Sequence, residues 1–200
     1  MTLMAATQEG ARKGRVFPRP RWWLIAQKEH GAQLLEFAFI LPFLAVMTVG
    51  VIDFAQGFRL KQKLTNAARE GARIGVELSP VDLDQTAPAT VRSVRNAVVN
   101  YMDNADIDVS GIRTTSCDTG PAEWTFYDND DPCVDNSGDA LIVIDRAVVI
   151  PVTGAIGTRV TVRYRFTWSF GEVIDLLAPT ASYPGSFLIS TDATMKNLVN

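Results

Sequence analysis

Glu36 is a carboxylic acid placed inside the most apolar stretch of the chain, five residues after Gly31. An ionised carboxylate inside a membrane is unfavourable unless it meets a cation or water. Cleavage of the peptide bond after Gly31 would create such a cation, because it frees the α-amine of Ala32 at the same membrane level. In an assembly of parallel helices, Glu36 of one subunit would then pair with that amine on a neighbour and fix the axial stagger between subunits.

A simpler interpretation of this segment stays open. Glu36 would snorkel to the cytoplasmic interface, with no partner, if the segment is a signal anchor that is never cut. His30 is the single histidine of the chain. It has no ligand set around it, so we expect no metal role for it.

The element that positions Glu36 is the apolar segment 34–58. It is twenty-five residues long and has two ionisable residues, Glu36 and Asp53. A helix of that length rises about 37 Å, enough to cross a hydrocarbon core of about 30 Å with some tilt. A buried helix of a soluble protein is disfavoured because the residues between the two carboxylates show no polar face. We predict a transmembrane helix over 32–58, with a local bend at Pro42.

Charge is distributed unevenly around this segment. Residues 1–33 carry a net charge of +4, and residues 59–200 carry −5. The positive-inside rule therefore predicts a cytoplasmic leader over 1–31 and export of the C-terminal part, which describes a single-pass membrane protein with an extracytoplasmic domain. An acidic body also argues against a nucleic-acid partner.

Helical signals continue beyond the predicted span, on a charged background. We expect an amphipathic extension over 59–79, ending by Ser79 because Pro80 disfavours helical geometry in the residue before it. Asp53, near the outer end of the span, is expected to face water or a helix partner such as Arg59.

A second helix is predicted from about residue 88 to residue 104, with Pro88 in its first turn. Its apolar residues fall on one face, which indicates core packing rather than a partner surface: Val91, Val94, Val98, Tyr101 and Met102. Its polar residues are expected on the other side: Arg92, Arg95 and Asn96.

After residue 106 the apolar period changes to two, which is typical of strands. The candidate strands are 107–115, which is the weakest, 140–150, 159–168 and 187–195. Segment 140–150 is apolar on both faces, as expected for a strand covered on both sides. Strands without intervening helices favour an antiparallel sheet, so the prediction is an α+β domain over 80–200 with the helices packed on one face of the sheet.

Cys117 and Cys133 are the only cysteines, and both lie in the region predicted to be exported. A disulfide is the default pairing in an oxidising compartment. A metal pair and a reactive thiol are the alternatives, but no Cys-x-x-Cys spacing and no nearby histidine supports them.

Signals of enzymatic chemistry are missing from the sequence. There is no glycine-rich phosphate loop, His-Glu-x-x-His motif or nucleophile elbow, so we expect neither an enzyme nor a cofactor. The aspartates of 128–139 could bind Ca²⁺, but their spacing lacks the glycine and the terminal glutamate of an EF-hand loop. A solvated loop is the preferred interpretation.

The stretch GAQLLEFAFILPFLAVMTVGVIDFAQ (31–56), followed by LTNAAREGAR (64–73), resembles the TadE-like family of tight-adherence pilus systems. A basic leader, glycine at the cut and glutamate five residues later also resemble the type IV pilin signal. The sequence departs from the family pattern just before the glycine, where Glu29 and His30 replace a basic residue.

The resemblance implies a minor pilin or pseudopilin of the bacterial cell membrane, processed by a prepilin peptidase at Gly31–Ala32. Gly31, Ala32, Glu36 and Phe37 would carry recognition and cleavage. The processed protein would act in assembly, or at the tip, of a thin adhesive pilus. Its implied partners are the peptidase, the major pilin and other minor pilins, the inner-membrane assembly platform and the lipid bilayer.

The resemblance also implies residues for assembly and helix packing, which include Glu36 and the following: Pro42, Ala67, Ala68, Gly71 and Ala72. Small residues allow helices to approach closely. The alternative for the small residues at 67–75 is packing against the protein's own sheet.

Two other functions remain to be tested. One is an uncleaved, membrane-anchored adhesion or binding module. The other is a secreted enzyme with an ordinary signal peptide, which is disfavoured because the apolar run is long and continues into further helix.

Overall fold

The computed structural model describes residues 30–128, 140–168, 171 and 185–198. The elements follow in this order: α1 (His30–Glu77), α2 (Ala89–Asn104), β1 (Cys117–Gly120), β2 (Glu123–Tyr127), β3 (Ala140–Val149), β4 (Ile156–Thr167) and β5 (Ser186–Lys196). Two helices followed by a sheet confirm the predicted α+β class. Most of the predicted leader lies outside the described residues.

The chain divides into two compact units, 1–44 and 45–200. The described part of the first unit is helical from His30 onward, and its side chains from residue 31 to residue 44 are all exposed. Pro42 lies inside this helical stretch. The second unit contains the remainder of α1, the second helix and the sheet.

The end of α1 at Glu77 confirms the prediction that the helix stops before Pro80. The side chain of Arg146, on β3, caps this end by donating a hydrogen bond from Nη2 to the carbonyl oxygen of Leu78, at 2.8 Å. A cation is favourable there because the last carbonyls of a helix lack helical donors and carry partial negative charge.

Helix α2 begins one residue after Pro88, and Pro88 provides no side-chain cap. Asp82 takes that role from six residues upstream. Its Oδ2 accepts a hydrogen bond from the Thr90 backbone N–H at 2.9 Å, and its Oδ1 accepts one from the Thr90 hydroxyl. Burial opposes the charge on Asp82, but the hydrogen bonds from Thr90, together with those from the backbone N–H groups of Asp82 and Ala89, outweigh it and hold the pKa of the carboxyl below its ordinary value.

The five strands pair in sequence order, β1-β2-β3-β4-β5, and every pair is antiparallel. Adjacent strands that follow one another along the chain form an antiparallel meander. The longest pairing joins β4 to β5, from Gly157 opposite Lys196 to Thr167 opposite Ser186. The antiparallel sheet and the strands expected over 140–150, 159–168 and 187–195 are confirmed.

The segment 107–115 is not a strand, and that prediction is wrong. Asp108 Oδ1 accepts hydrogen bonds from the backbone N–H and the hydroxyl of Ser110, which makes a local turn. Strand β1 begins at Cys117 and β2 follows it, in a segment for which no strand was expected. The turn-forming residues Pro121 and Ala122 lie between them, and Ala122 has a positive φ of 62°.

Strand β3 is buried on one face only, which corrects the expectation of a strand covered on both sides. Ile142 and Ile144 are fully buried, whereas Val149 is 62% exposed. The strand remains central in the order of pairing, with β2 on one side and β4 on the other.

One hydrophobic core joins both helices to the inward face of the sheet. Its fully buried aliphatic side chains come from α1, α2, β3 and β4: Leu64, Ala67, Ala68, Ala72, Val91, Val94, Val98, Ile142, Ile144, Val160 and Val162. The apolar face predicted for α2 is therefore confirmed, with Tyr101 partly buried against the same core.

The sequence predicted that Arg95 lies on the solvent side of α2. That prediction is wrong, since Arg95 is only 8% exposed. Its guanidinium donates a hydrogen bond from Nη2 to the carbonyl oxygen of Ile112. Arg95 thereby satisfies a backbone acceptor in the irregular segment before β1, and burial lowers the pKa of its guanidinium.

Candidate functional site

The candidate cleavage and assembly residues occupy the first turns of α1. Gly31, Ala32, Glu36 and Phe37 all have exposed side chains or, for glycine, an exposed backbone. A Cβ added to Gly31 would meet no atom of the described residues within 4 Å, so packing in that part of the chain does not require glycine there. Ala32 and Glu36 lie one helical turn apart. Side chains in a helix lean toward its N-terminus, so the Glu36 carboxylate leans toward the level of Ala32.

Glu36 has no hydrogen-bond or ion-pair partner within the described residues. A glutamate one turn from a potential new N-terminus is well placed to receive a cation from outside the chain. Nothing in the chain's own described structure occupies that position. The pairing with a neighbouring subunit's amine stays a prediction.

The helix that carries Glu36 presents large apolar side chains to its surroundings over a long stretch. Two of the most exposed are Leu34 at 70% and Phe39 at 75%, and exposed apolar residues continue in the second unit as far as Phe58. Within the part of the chain that the structure describes, α1 is long and apolar enough to cross a membrane. Such a surface is stable in lipid and unfavourable in water.

Asp53 is 1% exposed, so of the two expectations from the sequence, water or a helix partner, water is excluded. It lies with Phe54 and Trp168 on a cavity of about 280 Å³ whose other lining residues belong to α1. The carboxylate that interrupts the apolar segment is therefore covered by protein, as is usual for ionisable residues in membrane segments.

The small residues of the LTNAAREGAR run are buried inside the chain's own core. Ala67, Ala68 and Ala72 are each fully buried, and a Cβ added to Gly71 would overlap Val98 Cγ2 of α2 and lie 3.3 Å from Val160 Cγ1 of β4. This geometry favours the alternative in which they pack against the protein's own helix and sheet. Their role between subunits stays a prediction.

The opposite side of the same run is ionic and exposed. Arg73 contacts Glu70 at 2.6 Å and Glu77 at 2.9 Å. The hydrogen bond from Arg73 holds the pKa of Glu70 below its ordinary value, and the two carboxylates raise the pKa of Arg73. Exposed pairs at these spacings stabilise a helix only slightly. The run is therefore amphipathic, with its small side against the domain.

Cys117 begins β1 and is 5% exposed, and the described residues contain no free cysteine. Cys133 lies outside the described residues. The disulfide between them stays a prediction.

The acidic run predicted to be a solvated loop is described only at its first residue. Asp128 Oδ2 accepts a hydrogen bond from the backbone N–H of Ala140 at 2.6 Å, so this oxygen supports the start of β3. Among the described residues, no group of three or more His, Cys, Asp or Glu side chains could hold a metal ion.

Sequence reasoning missed Arg146 and Asp82, which fix the ends of the two helices. Arg146 follows Ile142 and Ile144 on the inward face of β3. The alternation of inward and outward residues along this strand could therefore have predicted its burial. Burial lowers the pKa of Arg146, and the charge of Asp82 partly offsets this. Asp82 precedes α2 by too many residues to match a standard capping pattern.

An exposed apolar helix followed by an α+β domain fits a membrane-anchored protein. The family model described as "TadE-like protein" matches residues 31–73, which contain both the Gly31–Phe37 segment and the LTNAAREGAR run. This match confirms the resemblance over that part of the chain and indicates a protein associated with a Tad pilus. Neither curated proteins nor solved structures gave a match.

Proposed function

We propose that this protein is a minor pilin or pseudopilin of a Tad pilus system. A prepilin peptidase removes residues 1–31, and the processed chain acts in assembly, or at the tip, of a thin adhesive fibre. The observation that carries the proposal is the exposed Gly31–Phe37 segment at the start of an uncovered apolar helix, within the stretch that the TadE-like family model matches.

The surroundings of Gly31 support cleavage at this position. No atom of the described residues lies within 4 Å of a Cβ added here, so packing in that part of the chain does not account for the glycine. A protease that approaches the backbone closely does need one, since a side chain would hinder that approach. The open surroundings therefore support recognition, rather than packing, as the reason for glycine at residue 31.

Glu36 supports assembly. Cleavage gives Ala32 a positive α-amine at the start of a helix, and the exposed carboxylate of a neighbouring subunit's Glu36 is its natural counterion. The pair forms only when two helices have the correct axial offset, so the proposal makes Glu36 a residue that sets the register of subunits.

The proposal gives the protein one membrane span, with its N-terminus in the cytoplasm and its domain outside. Its partners are the prepilin peptidase, the major pilin, other minor pilins and the inner-membrane assembly platform. We assign it no catalytic role, no cofactor and no nucleic-acid partner.

The test is N-terminal sequencing and intact-mass measurement of the membrane-extracted protein, from strains with and without the prepilin peptidase. We expect the chain to begin at Ala32 only when the peptidase is present. Gly31→Leu should keep the leader attached, whereas Ala45→Leu, which introduces the same side chain at another exposed position of the same helix, should be processed normally.

A chain that keeps residues 1–31 in the presence of active peptidase would contradict the proposal. It would favour the alternative of an uncleaved membrane-anchored adhesion or binding module. Processing of Gly31→Leu at the wild-type rate would contradict the assignment of the cleavage position alone.

A further inference from the structure

A cluster of aromatic side chains lies where β4 ends and β5 begins. Trp168 stacks on Phe187 with 4.9 Å between ring centroids, and Phe166 contacts both rings edge-on. Phe54 of α1 contacts Trp168 with 5.6 Å between ring centroids. The cluster therefore joins one end of the sheet to a particular level of the helix.

Much of this aromatic area is uncovered. Phe54 and Phe58 are 63% and 65% exposed, and Phe187 and Leu188 are 38% and 48% exposed. These four residues line an apolar groove of about 360 Å³, and Lys61 also belongs to its lining. We name the set Phe54, Phe58, Trp168, Phe187 and Leu188 the interfacial aromatic surface.

The level of this surface along α1 is where the helix changes from apolar to charged. Exposed Val51 and Ile52 precede it, and exposed Arg59 and Lys61 follow it. In a membrane-spanning helix, such a change falls at the boundary between acyl chains and headgroups. The structure thus brings sheet aromatics to the depth at which Trp and Phe partition well into lipid.

We propose that the interfacial aromatic surface inserts into the headgroup region of the bilayer that holds α1, and so docks the exported domain on the membrane. The inference rests on the membrane anchoring in the proposed function. Continuity with the apolar face of α1 and the cations at Arg59 and Lys61, which suit lipid phosphates, favour lipid as the occupant.

The other end of the sheet provides an internal control. Val152 is 93% exposed and lies in the turn between β3 and β4. Strand β4 has twelve residues, and a strand rises about 3.3 Å per residue, so about 40 Å of sheet separates this turn from Trp168. A docked domain holds Trp168 in lipid and keeps Val152 in water.

The test uses the full chain in nanodiscs made with phospholipids brominated either high on the acyl chain or near its end. Bromine quenches tryptophan emission on contact. The emission of wild type minus that of Trp168→Phe isolates Trp168 from the other tryptophans. Two probes are added singly to the Trp168→Phe background: Phe43→Trp reports on the anchor, and Val152→Trp reports on the far end of the sheet.

We expect the Trp168 component to be quenched, and more strongly by bromine high on the acyl chain than by bromine near its end. The Phe43→Trp probe should be quenched and the Val152→Trp probe should not.

If Phe43→Trp is quenched while the Trp168 component is unchanged, the anchor holds and the docking inference is wrong. A neighbouring subunit's helix in the groove would give that result. If neither is quenched, the anchor itself fails. Equal quenching of Trp168 and Val152→Trp would also overturn the inference.

Discussion

The contact between Gly71 of α1 and Val98 of α2 predicts a measurable stability difference between two glycine substitutions. In Gly71→Ala, the new Cβ overlaps Val98 Cγ2, whereas in Gly57→Ala the nearest atom, Phe166 Cε1, lies at an ordinary 3.9 Å. Both changes gain about 1 kcal/mol of helix propensity. Their difference in the free energy of unfolding therefore isolates the overlap.

The overlap is expensive because Val98 is β-branched and held in one rotamer within a helix, so it cannot swing away. Overpacking of this kind costs about 1 to 3 kcal/mol. For a chain of this length that corresponds to a melting temperature about 3 to 10 °C lower for Gly71→Ala than for Gly57→Ala.

The assay is thermal unfolding of the full chain in detergent, followed by the emission of tryptophan. Trp124 belongs to the same core and is 2% exposed, so its emission shifts when the core opens. Equal melting temperatures for Gly71→Ala and Gly57→Ala would refute the close packing of α1 on α2 described above.

Three further predictions follow from single residues. Asp82→Ala should destabilise the domain by about 1 kcal/mol at neutral pH through the loss of a helix cap. Because the folded pKa of Asp82 is lowered, this contribution is full above the ordinary carboxyl pKa of about 3.9 and is lost as the pH falls through the folded value. Urea titrations of the wild type and the variant should therefore converge in acid. Glu36→Ala should abolish pilus production in cells while leaving the melting temperature unchanged, because the side chain is exposed and has no partner among the described residues; normal piliation would contradict its assembly role. Reduction of the protein should lower its stability by about 3 kcal/mol if Cys117 and Cys133 are paired, and Cys133→Ser should remove that response.

The elements with local periodicity were predictable from the sequence. The 3.6-residue stripe of α2 and the alternation along β4 and β5 depend on neighbouring residues, and both were confirmed. The positions of β1 and β2 were not predictable, because turn-forming residues such as Pro121 dominate that segment. Its strands are stabilised by pairing, β1 with β2 and β2 with β3, rather than by a local pattern.

Long-range packing also explains the errors on charged residues. Arg95 was expected in solvent because its type is usually exposed. It is buried because the carbonyl of Ile112, seventeen residues away, needs a donor in the folded chain. No pattern in α2 alone carries that information.

The candidate site also has one part that could be recognised from the sequence and one part that could not. The Gly31–Glu36 spacing could be recognised from sequence alone, because its proposed partners are an enzyme and another subunit rather than distant parts of this chain. The small residues at 67–72 were ambiguous, since close approach to a neighbour and close approach to one's own sheet require the same residue types.

The missing side chain at Gly71 has a mechanical consequence. Val98 occupies the space that a side chain at Gly71 would take. One turn later Thr158 of β4 faces Gly75, where an added Cβ would lie 2.7 Å from Thr158 Cγ2. If this part of α1 were pulled along its own axis, residues with larger side chains would have to pass Val98 and Thr158. Traction on the helix is therefore transmitted to the sheet as shear, and the helix and the domain travel together.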